Sequence, residues 1–413
     1  MERLELAGRL GISLRAAEPR DAVVEECEPG RFMAALGEAV AGGGRVFVKD
    51  PRWGAAERAQ FAALTKSKTE EQKSTINQGW LCLPTGGSSG ELKLVRHDQD
   101  TIAAAVRGGC AHFSVAHINA VGVLPLHHVS GLMAWMRCVL TGGRYVPWTW
   151  ADMEAGRWPE IGAGDWFLSL VPTQLQRLLG RKEAEERLRR FRAVFLGGGP
   201  AWPDLLARAA EARLPLAPGY GMTETAAMIT ALRPEEFLAG RCGCGPALPH
   251  ARVDLDADGI IRITAESLFR GYYPHQRATG RWETEDLGRF DEHGGLHVIG
   301  RRDAVIITGG KKVAPDEVEA ALRATGQFAD VAVIGLPDTE WGQVLAACYP
   351  AGPAEPDVSL VDRHLTGQLA PHKRPKQYLP IADWPRNEQG KVNRRELTTL
   401  ALAAIGGIRR NGP

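Results

Sequence analysis

The sequence predicts an α/β protein: a large N-terminal domain of layered α/β sheets with a β-rich subdomain, residues 1–302, and a small α+β C-terminal domain, residues 303–413. Three observations carry this. The chain has 413 residues, too many for one compact core and suited to a large unit with a smaller one attached. Short apolar runs bounded by Gly and Pro alternate with helical patterns, which argues for mainly parallel sheet covered by helices. From about Gly245 the pattern changes to short alternating strands and tight turns, which places the β-rich subdomain at the end of the large domain.

Taken in order, Gly122-Val-Leu-Pro, Trp166-Phe-Leu-Ser-Leu-Val and Ala193-Val-Phe-Leu-Gly-Gly-Gly read as buried strands. Between the last two, Gln174 to Phe191 carries Leu175, Leu178, Leu179, Leu188 and Phe191 at helical spacing. Asp258-Gly259 between alternating apolar residues signals a hairpin, and Asp291-Glu-His-Gly-Gly signals a second. Val305-Ile-Ile-Thr leads to Gly309-Gly310, and Pro315 followed by Asp316 and Glu317 marks a helix start. A strand from Asp330 and a helix from Val358 to Ala370 complete the small domain, whose boundary is expected near Asp303. No internal repeat is present, and only Ala351 to Pro356 and the C-terminal tail look loose.

Hydrophobic residues are 44% and charged residues 24%, the balance of an ordinary globular protein. Lys plus Arg is 50 against 49 for Asp plus Glu, which argues against nucleic acid or another polyanion as partner. Seven scattered Cys suit reduced thiols in a cytoplasmic protein. Cys242-Gly-Cys244 has no second ligand pair nearby and does not make a zinc site. Met1-Glu2-Arg3-Leu4-Glu5 is not a secretory signal, and no apolar run reaches the ~20 residues of a membrane span. The expected location is cytoplasmic, and the sequence leaves room for a homo-oligomer.

Pro84-Thr-Gly-Gly-Ser-Ser-Gly-Glu-Leu-Lys93 is the first segment with chemistry in it. Its glycines let backbone fold closely around an anion, while Thr85, Ser88, Ser89 and Lys93 add hydroxyl and ammonium donors. A P-loop would need Gly-Lys-Ser/Thr, and here Gly90 is followed by Glu91-Leu92. Further along come Tyr220-Gly-Met-Thr-Glu224, Thr284-Glu-Asp-Leu-Gly288 with Gly300-Arg-Arg-Asp303, Gly309-Gly-Lys-Lys-Val-Ala-Pro-Asp-Glu-Val-Glu319 and Asn387-Glu-Gln-Gly-Lys-Val-Asn-Arg394. In this order, over roughly Pro84 to Leu397, the set resembles the adenylate-forming superfamily of acyl-CoA synthetases, adenylation domains and luciferases.

The resemblance implies ATP, Mg²⁺ and coenzyme A, and a small domain that swings between two half-reactions. Thr85, Gly86, Gly87, Ser88, Ser89, Gly90 and Lys93 would wrap the β- and γ-phosphates. Glu224 would hold Mg²⁺ with Thr85 beside it, as a hard cation takes oxygen ligands. Tyr220 would lie along adenine, with Gly198, Gly199, Gly221 and Met222 around the nucleotide and Thr223 at the α-phosphate. Asp286, supported by Arg301, would accept the ribose hydroxyls. Asp303 matches the hinge, Gly309 and Gly310 would line the pantetheine tunnel, and Lys391 would bridge acid and α-phosphate where negative charge builds. Thr-Gly-Gly-Ser-Ser-Gly in place of Thr-Ser-Gly-Thr-Thr-Gly, and Leu92 in place of Pro, keep the donors and alter loop stiffness.

Leu124-Pro-Leu-His-His-Val-Ser-Gly-Leu-Met133 stands where that superfamily has its acyl-pocket helix, with His128 at the commonly retained histidine and His127 at a gating aromatic. With Ser169 to Arg177, Leu196 to Pro203 and Ala217 to Thr225, it looks like the o-succinylbenzoate–CoA ligases of menaquinone and phylloquinone synthesis. Such an acid has a ring carboxylate that needs charge-assisted donors when buried; His127, His128, Thr173, Gln174 and Arg177 are the candidates. Another aryl- or acyl-CoA ligase, or a stand-alone adenylation enzyme loading a carrier protein, stays open. A degenerate nucleotide-binding protein is countered by Lys391, Glu224 and Asp286 occurring together.

Overall fold

The computed structural model describes residues 3–11, 19–66, 79–86, 91–274, 280–352, 355–386 and 392–410. Its centre is a six-stranded sheet in the order Ala227–Ala231, Leu216–Met222, Ala193–Leu196, Trp166–Leu170, Asn119–Gly122, Tyr145–Pro147. All neighbours are parallel except the antiparallel edge Ala227–Ala231. These strands are buried runs, as parallel strands covered on both faces must be. On one face the helices Gln99–Phe113 and Val129–Thr141 pack over Phe167, Phe195 and Ala217. On the other, Pro172–Leu178, Lys182–Leu188 and Pro203–Glu211 pack over Leu168, Val194 and Leu216.

The expected single helix from Gln174 to Phe191 is two helices, broken at Leu179-Gly180-Arg181. Gly180 takes φ +85°, and the Glu185 carboxylate accepts its N–H at 2.9 Å. The apolar spacing was right because Leu175, Leu178, Leu179 and Leu188 all enter one cluster; periodicity does not register a one-glycine break. The run read from Gly122 as a strand also shifts, since the strand is Asn119–Gly122 and ends at that glycine.

A second sheet is mixed: Arg20–Val24, Gly43–Val48, Leu81–Gly86, Leu92–His97 and Tyr272–Tyr273. The first three are parallel, and Leu81–Gly86 and Leu92–His97 form a hairpin. Tyr272–Tyr273 pairs with Val95 and Leu94, so the β-rich region returns a strand to the N-terminal sheet. The rest of that region is a four-stranded antiparallel sheet, Ala251–Leu255, Ile260–Ala265, Trp282–Phe290 and Leu296–Arg301. Both anticipated hairpins lie in it.

Beyond Arg301 the chain forms the two-stranded Ile306–Thr308 and Lys311–Val313, a three-stranded sheet and the helices Pro315–Ala324, Val358–Gln368 and Arg394–Arg410. Their two apolar clusters draw only on residues after Val305. Arg394 donates to Asp316 and Glu319 at 3.1 and 2.7 Å, tying the last helix to Pro315–Ala324. Among the described residues no helix is long and apolar enough to cross a membrane.

Candidate nucleotide and acid site

The strand Leu216–Met222 and the turn after it organise the site. Met222 passes into a 3₁₀ turn, Thr223–Thr225, after which Ala226 and Ala227 take φ +51° and +73°. Non-glycine residues there cost of order 1–3 kcal/mol and persist only when surroundings hold them. The Thr225 hydroxyl supplies part of that hold, donating to the Ala227 carbonyl at 2.6 Å. His97 supplies another: its Nε2 lies 2.7 Å from the Thr223 carbonyl and its Nδ1 3.0 Å from the Thr101 hydroxyl. Burial pushes its pKa down to about 4, so the imidazole is neutral. At Gly221 a Cβ would drive into the Ala227 carbonyl oxygen, so the backbone approach requires glycine.

Two polar clusters flank this turn. In the first, the Tyr220 hydroxyl donates to Asp286 Oδ2 at 2.6 Å and Arg301 Nη1 reaches Oδ1 at 3.4 Å. Asp286 and Arg301 face each other across adjacent antiparallel strands, which places two distant motifs in one register. Burial, then the Asp286 carboxylate, pushes the Tyr220 phenol far above its ordinary range, so it acts only as a donor. In the second cluster, the Tyr272 hydroxyl donates to Glu224 Oε1 at 2.7 Å. Lys93 Nζ lies 5.3 Å from the Tyr272 ring centroid, within cation–π reach. Lys93 and Glu224 thus meet at Tyr272, which the sequence did not single out, and Thr85 stands opposite Lys93 in the hairpin.

Gly87, Ser88, Ser89 and Gly90, the expected phosphate cradle, lie outside the described residues, as does Lys391. Gly86 ends the first hairpin strand. Gly198 takes φ +79°, and Gly198 and Gly199 follow the strand Ala193–Leu196. Gly309 and Gly310 form a tight turn at φ +54° and +74°, with the Trp341 ring against Gly309.

The expected acid donors divide. His127 and His128 immediately precede the helix Val129–Thr141, but an acid already faces them. His127 Nε2 is 3.2 Å and His128 Nε2 3.9 Å from Asp50 Oδ2. Thr173 is half-buried in the first turn of Pro172–Leu178, while the Gln174 carboxamide oxygen is engaged by the Val171 N–H at 3.0 Å. Arg177 stands apart from the other candidates: its side chain is 55% exposed and donates to Glu154 at 3.0 Å. The helix after Pro172 turns that face to solvent.

The same helix–sheet layer holds donors that the sequence reading missed. Arg137, on Val129–Thr141, is buried with its guanidinium 5.3 Å from the Phe195 ring centroid, and among the described residues nothing accepts from its Nε. Burial pushes its pKa down to about 10. Neither ring nitrogen of buried His250 has a hydrogen-bond partner among the described residues, and burial pushes this imidazole down to about 4. A Cβ on Gly108 would strike its Nδ1, so glycine makes room for the ring. Buried polar groups left without partners are rare and costly.

The AMP-binding enzyme model matches residues 8–273, and the AMP-binding enzyme C-terminal domain matches residues 317–391. The 2-succinylbenzoate–CoA ligase of Geobacillus kaustophilus is 35% identical over 298 residues, 68% of this chain and 60% of that protein. That of Listeria monocytogenes (strain EGD-e) is 33% identical over 283 residues, 66% of this chain and 60% of that protein. The matches to both relatives thus cover 60% of each relative's length. Among solved structures, o-succinylbenzoate CoA synthetase from Bacillus subtilis with its acyl-adenylate superposes at TM-score 0.78 and 22% identity, covering 96% of this chain and 92% of that one. ATP-bound MatB from Rhodopseudomonas palustris superposes at 0.77 and 23%, covering 96% and 92%. These two likenesses show the fold. With the family model spanning well over half its length, this chain belongs to the AMP-binding enzyme family.

Proposed function

We propose that this chain activates o-succinylbenzoate with ATP as an acyl-adenylate and passes the acyl group to coenzyme A. The observation that carries it is the pair of clusters on one strand and turn, Tyr220–Asp286–Arg301 and Glu224–Tyr272–Lys93. The first suits a ribose: Asp286 offers carboxylate oxygens to hydroxyl donors while Tyr220 and Arg301 hold it still. In the second, Glu224 is buried, and among the described residues neither Lys nor Arg pairs with it. Such a carboxylate fits a hard divalent cation, so Glu224 with Thr85 would hold Mg²⁺, which would neutralise phosphate charge when bound. Lys93 adds an ammonium on the same side. Lys391, from the small domain that we begin at Asp303, would bring a second cation to the α-phosphate during adenylation.

Two observations support the acid. The relatives above are named 2-succinylbenzoate–CoA ligases. Arg137 and His250 offer buried donors on the face of the six-stranded sheet where Ala217 and Phe195 pack, below the strand that carries the nucleotide clusters. A ring carboxylate would give Arg137 the anionic partner that its burial calls for. His127 and His128 already face Asp50, so a ring carboxylate there would compete with Asp50 for the same two imidazoles. A reaction that draws on ATP and CoA fits a cytoplasmic location.

The test is a CoA-thioester assay with o-succinylbenzoate, its analogue bearing hydrogen for the ring carboxylate, benzoate and a fatty acid. The proposal expects o-succinylbenzoate to lead the ring-unsubstituted analogue by as much as ~10⁴-fold in kcat/KM, with Arg137→Leu closing most of that gap. Equal use of both acids leaves an aryl-CoA ligase of another acid. Adenylation without thioester formation points to a carrier-protein thiol as acceptor.

A further inference from the structure

Asp50 lies two residues beyond the strand Gly43–Val48, and His127 and His128 lead into the helix Val129–Thr141. Asp50 and His127 are buried, and His128 is largely so. Although adjacent in sequence, the two imidazoles direct the same nitrogen, Nε2, toward one oxygen, Asp50 Oδ2, at 3.2 and 3.9 Å. Their rings lie 4.6 Å apart between centroids, tilted by 56°. One donor atom from each of the three residues lies within 4.8 Å of the others.

Arg52 makes this arrangement internally inconsistent. Its Nη2 is 3.1 Å from His127 Nε2, the atom that also faces Asp50. A guanidinium only donates, and an ionised carboxylate only accepts. With a proton on Nε2, His127 satisfies Asp50 and meets the Arg52 N–H head-on. Without one, it accepts from Arg52 and turns its lone pair on the carboxylate. Neither tautomer satisfies both neighbours. A cation held among the three satisfies them all, since it binds the lone pairs of both imidazoles and the carboxylate oxygen together.

We propose that Asp50, His127 and His128 form a binding site for a borderline divalent cation such as Zn²⁺ or Co²⁺, entered when the Arg52 side chain withdraws. Two imidazoles and one carboxylate suit those ions and not Mg²⁺, which takes oxygen ligands. Metal–ligand distances of about 2.0–2.2 Å place tetrahedral ligand atoms roughly 3.4 Å apart, and the two observed separations bracket that value. The fourth position would take water or an anion. The Arg52 side chain is 42% exposed and meets Asp50 Oδ1 through Nε at 3.3 Å, so withdrawal exchanges that ion pair for solvent while the incoming cation takes over the carboxylate's charge. Meanwhile the Arg52 backbone N–H, 3.0 Å from Asp50 Oδ1, stays to orient the carboxylate from behind, as outer-shell hydrogen bonds do at metal sites. This site does not depend on the ligase reading, because none of its residues belongs to the clusters at Asp286 and Glu224.

The test is titration of the untagged, chelator-treated chain with Co²⁺, followed by visible absorption. One saturable equivalent with the intense bands of a tetrahedral ion is expected, displaced by Zn²⁺ and untouched by excess Mg²⁺. His127→Gln and Asp50→Asn should each weaken binding by at least ~10-fold. Arg52→Ala should tighten it, because the competing cation is gone, and a stray surface histidine would not respond in that way. Circular dichroism separates lost binding from lost fold. If Asp50→Asn does not fold, His127→Gln and Arg52→Ala carry the test. No saturable absorption, affinity indifferent to His127→Gln, or weaker binding in Arg52→Ala would each overturn the proposal.

Discussion

Tyr220 shows what one hydroxyl adds to an aromatic motif. From sequence its ring is a surface for adenine; the structure also gives its O–H to Asp286 at 2.6 Å. Tyr220→Phe keeps the ring and removes one bond that steadies Asp286, so the apparent KM for ATP should rise, by less than when the Asp286 carboxylate itself is removed. Asp286→Ala removes the charged acceptor itself, about 1.5–3 kcal/mol, and should raise it about 10- to 150-fold. An unchanged KM in Asp286→Ala would sink the ribose assignment. Asp286, Arg301 and Glu224 were legible as candidates because each sits in a short ordered motif. Tyr272 and Arg137 were not. Tyr272 reaches Glu224 only through sheet pairing with Val95, a contact between segments far apart in sequence. Arg137 lies between Met136 and Cys138 on an apolar helix, and its cost appears only when three-dimensional packing removes its water. Arg177 is the mirror image, a donor of the right type whose helix face turns outward to Glu154.

At the level of elements, local signals carried most of the fold. Asp258-Gly259 and Asp291 to Gly295 are turns, and Pro315 opens a helix that ends at Ala324, since turn and cap chemistry needs only a few residues. The order of strands in the sheets was not legible, because it is fixed by long-range packing. The hairpin Leu81–Gly86 with Leu92–His97 shows why the glycine-rich segment is no P-loop: it joins two antiparallel strands, whereas a P-loop leads from strand to helix. Gly221 is the tighter of the two glycines in the strand Leu216–Met222, lying against the Ala227 carbonyl. Gly221→Ala should therefore splay the edge pair Leu216–Met222 with Ala227–Ala231. Overpacking of this kind costs about 1–3 kcal/mol, and Glu224 would lose its aim. A lower melting temperature together with lost adenylation is expected from calorimetry and pyrophosphate release. Full activity in a stable Gly221→Ala would show that the strand accommodates a side chain.

Across the whole molecule, buried histidines tie stability to acidity. His97 and His250 have pKa values pushed down to about 4 from 6.5 by burial, and His112 moves the same way for the same reason. The unfolded chain binds these protons first. Their contribution is therefore complete above pH 6.5 and is lost as pH falls toward 4, by up to about 3 kcal/mol each for His97 and His250. Asp316 opposes them. Burial, then Glu319, raises its carboxyl to about 6, so its share is present at low pH and is lost as pH rises through 6. With three histidines against one acid, the urea midpoint should fall between pH 7.5 and pH 5. His250→Asn should flatten that slope. A midpoint constant over this range would mean that the histidines titrate as they do in water.

The return of Tyr272–Tyr273 to the strand Leu92–His97 has a consequence for how the chain is made. When His97 leaves the ribosome, one edge of its strand has no partner, and that partner is about 175 residues away. At a synthesis rate of about 5–20 residues per second, the edge waits roughly 10–35 s. It carries Leu94 and Val95, both fully buried in the finished protein, and an exposed apolar edge invites pairing with another nascent chain. The hairpin Leu81–Gly86 with Leu92–His97 is thus among the last parts of the N-terminal sheet to be sealed, and a fragment ending before Tyr272 should aggregate where the full chain does not.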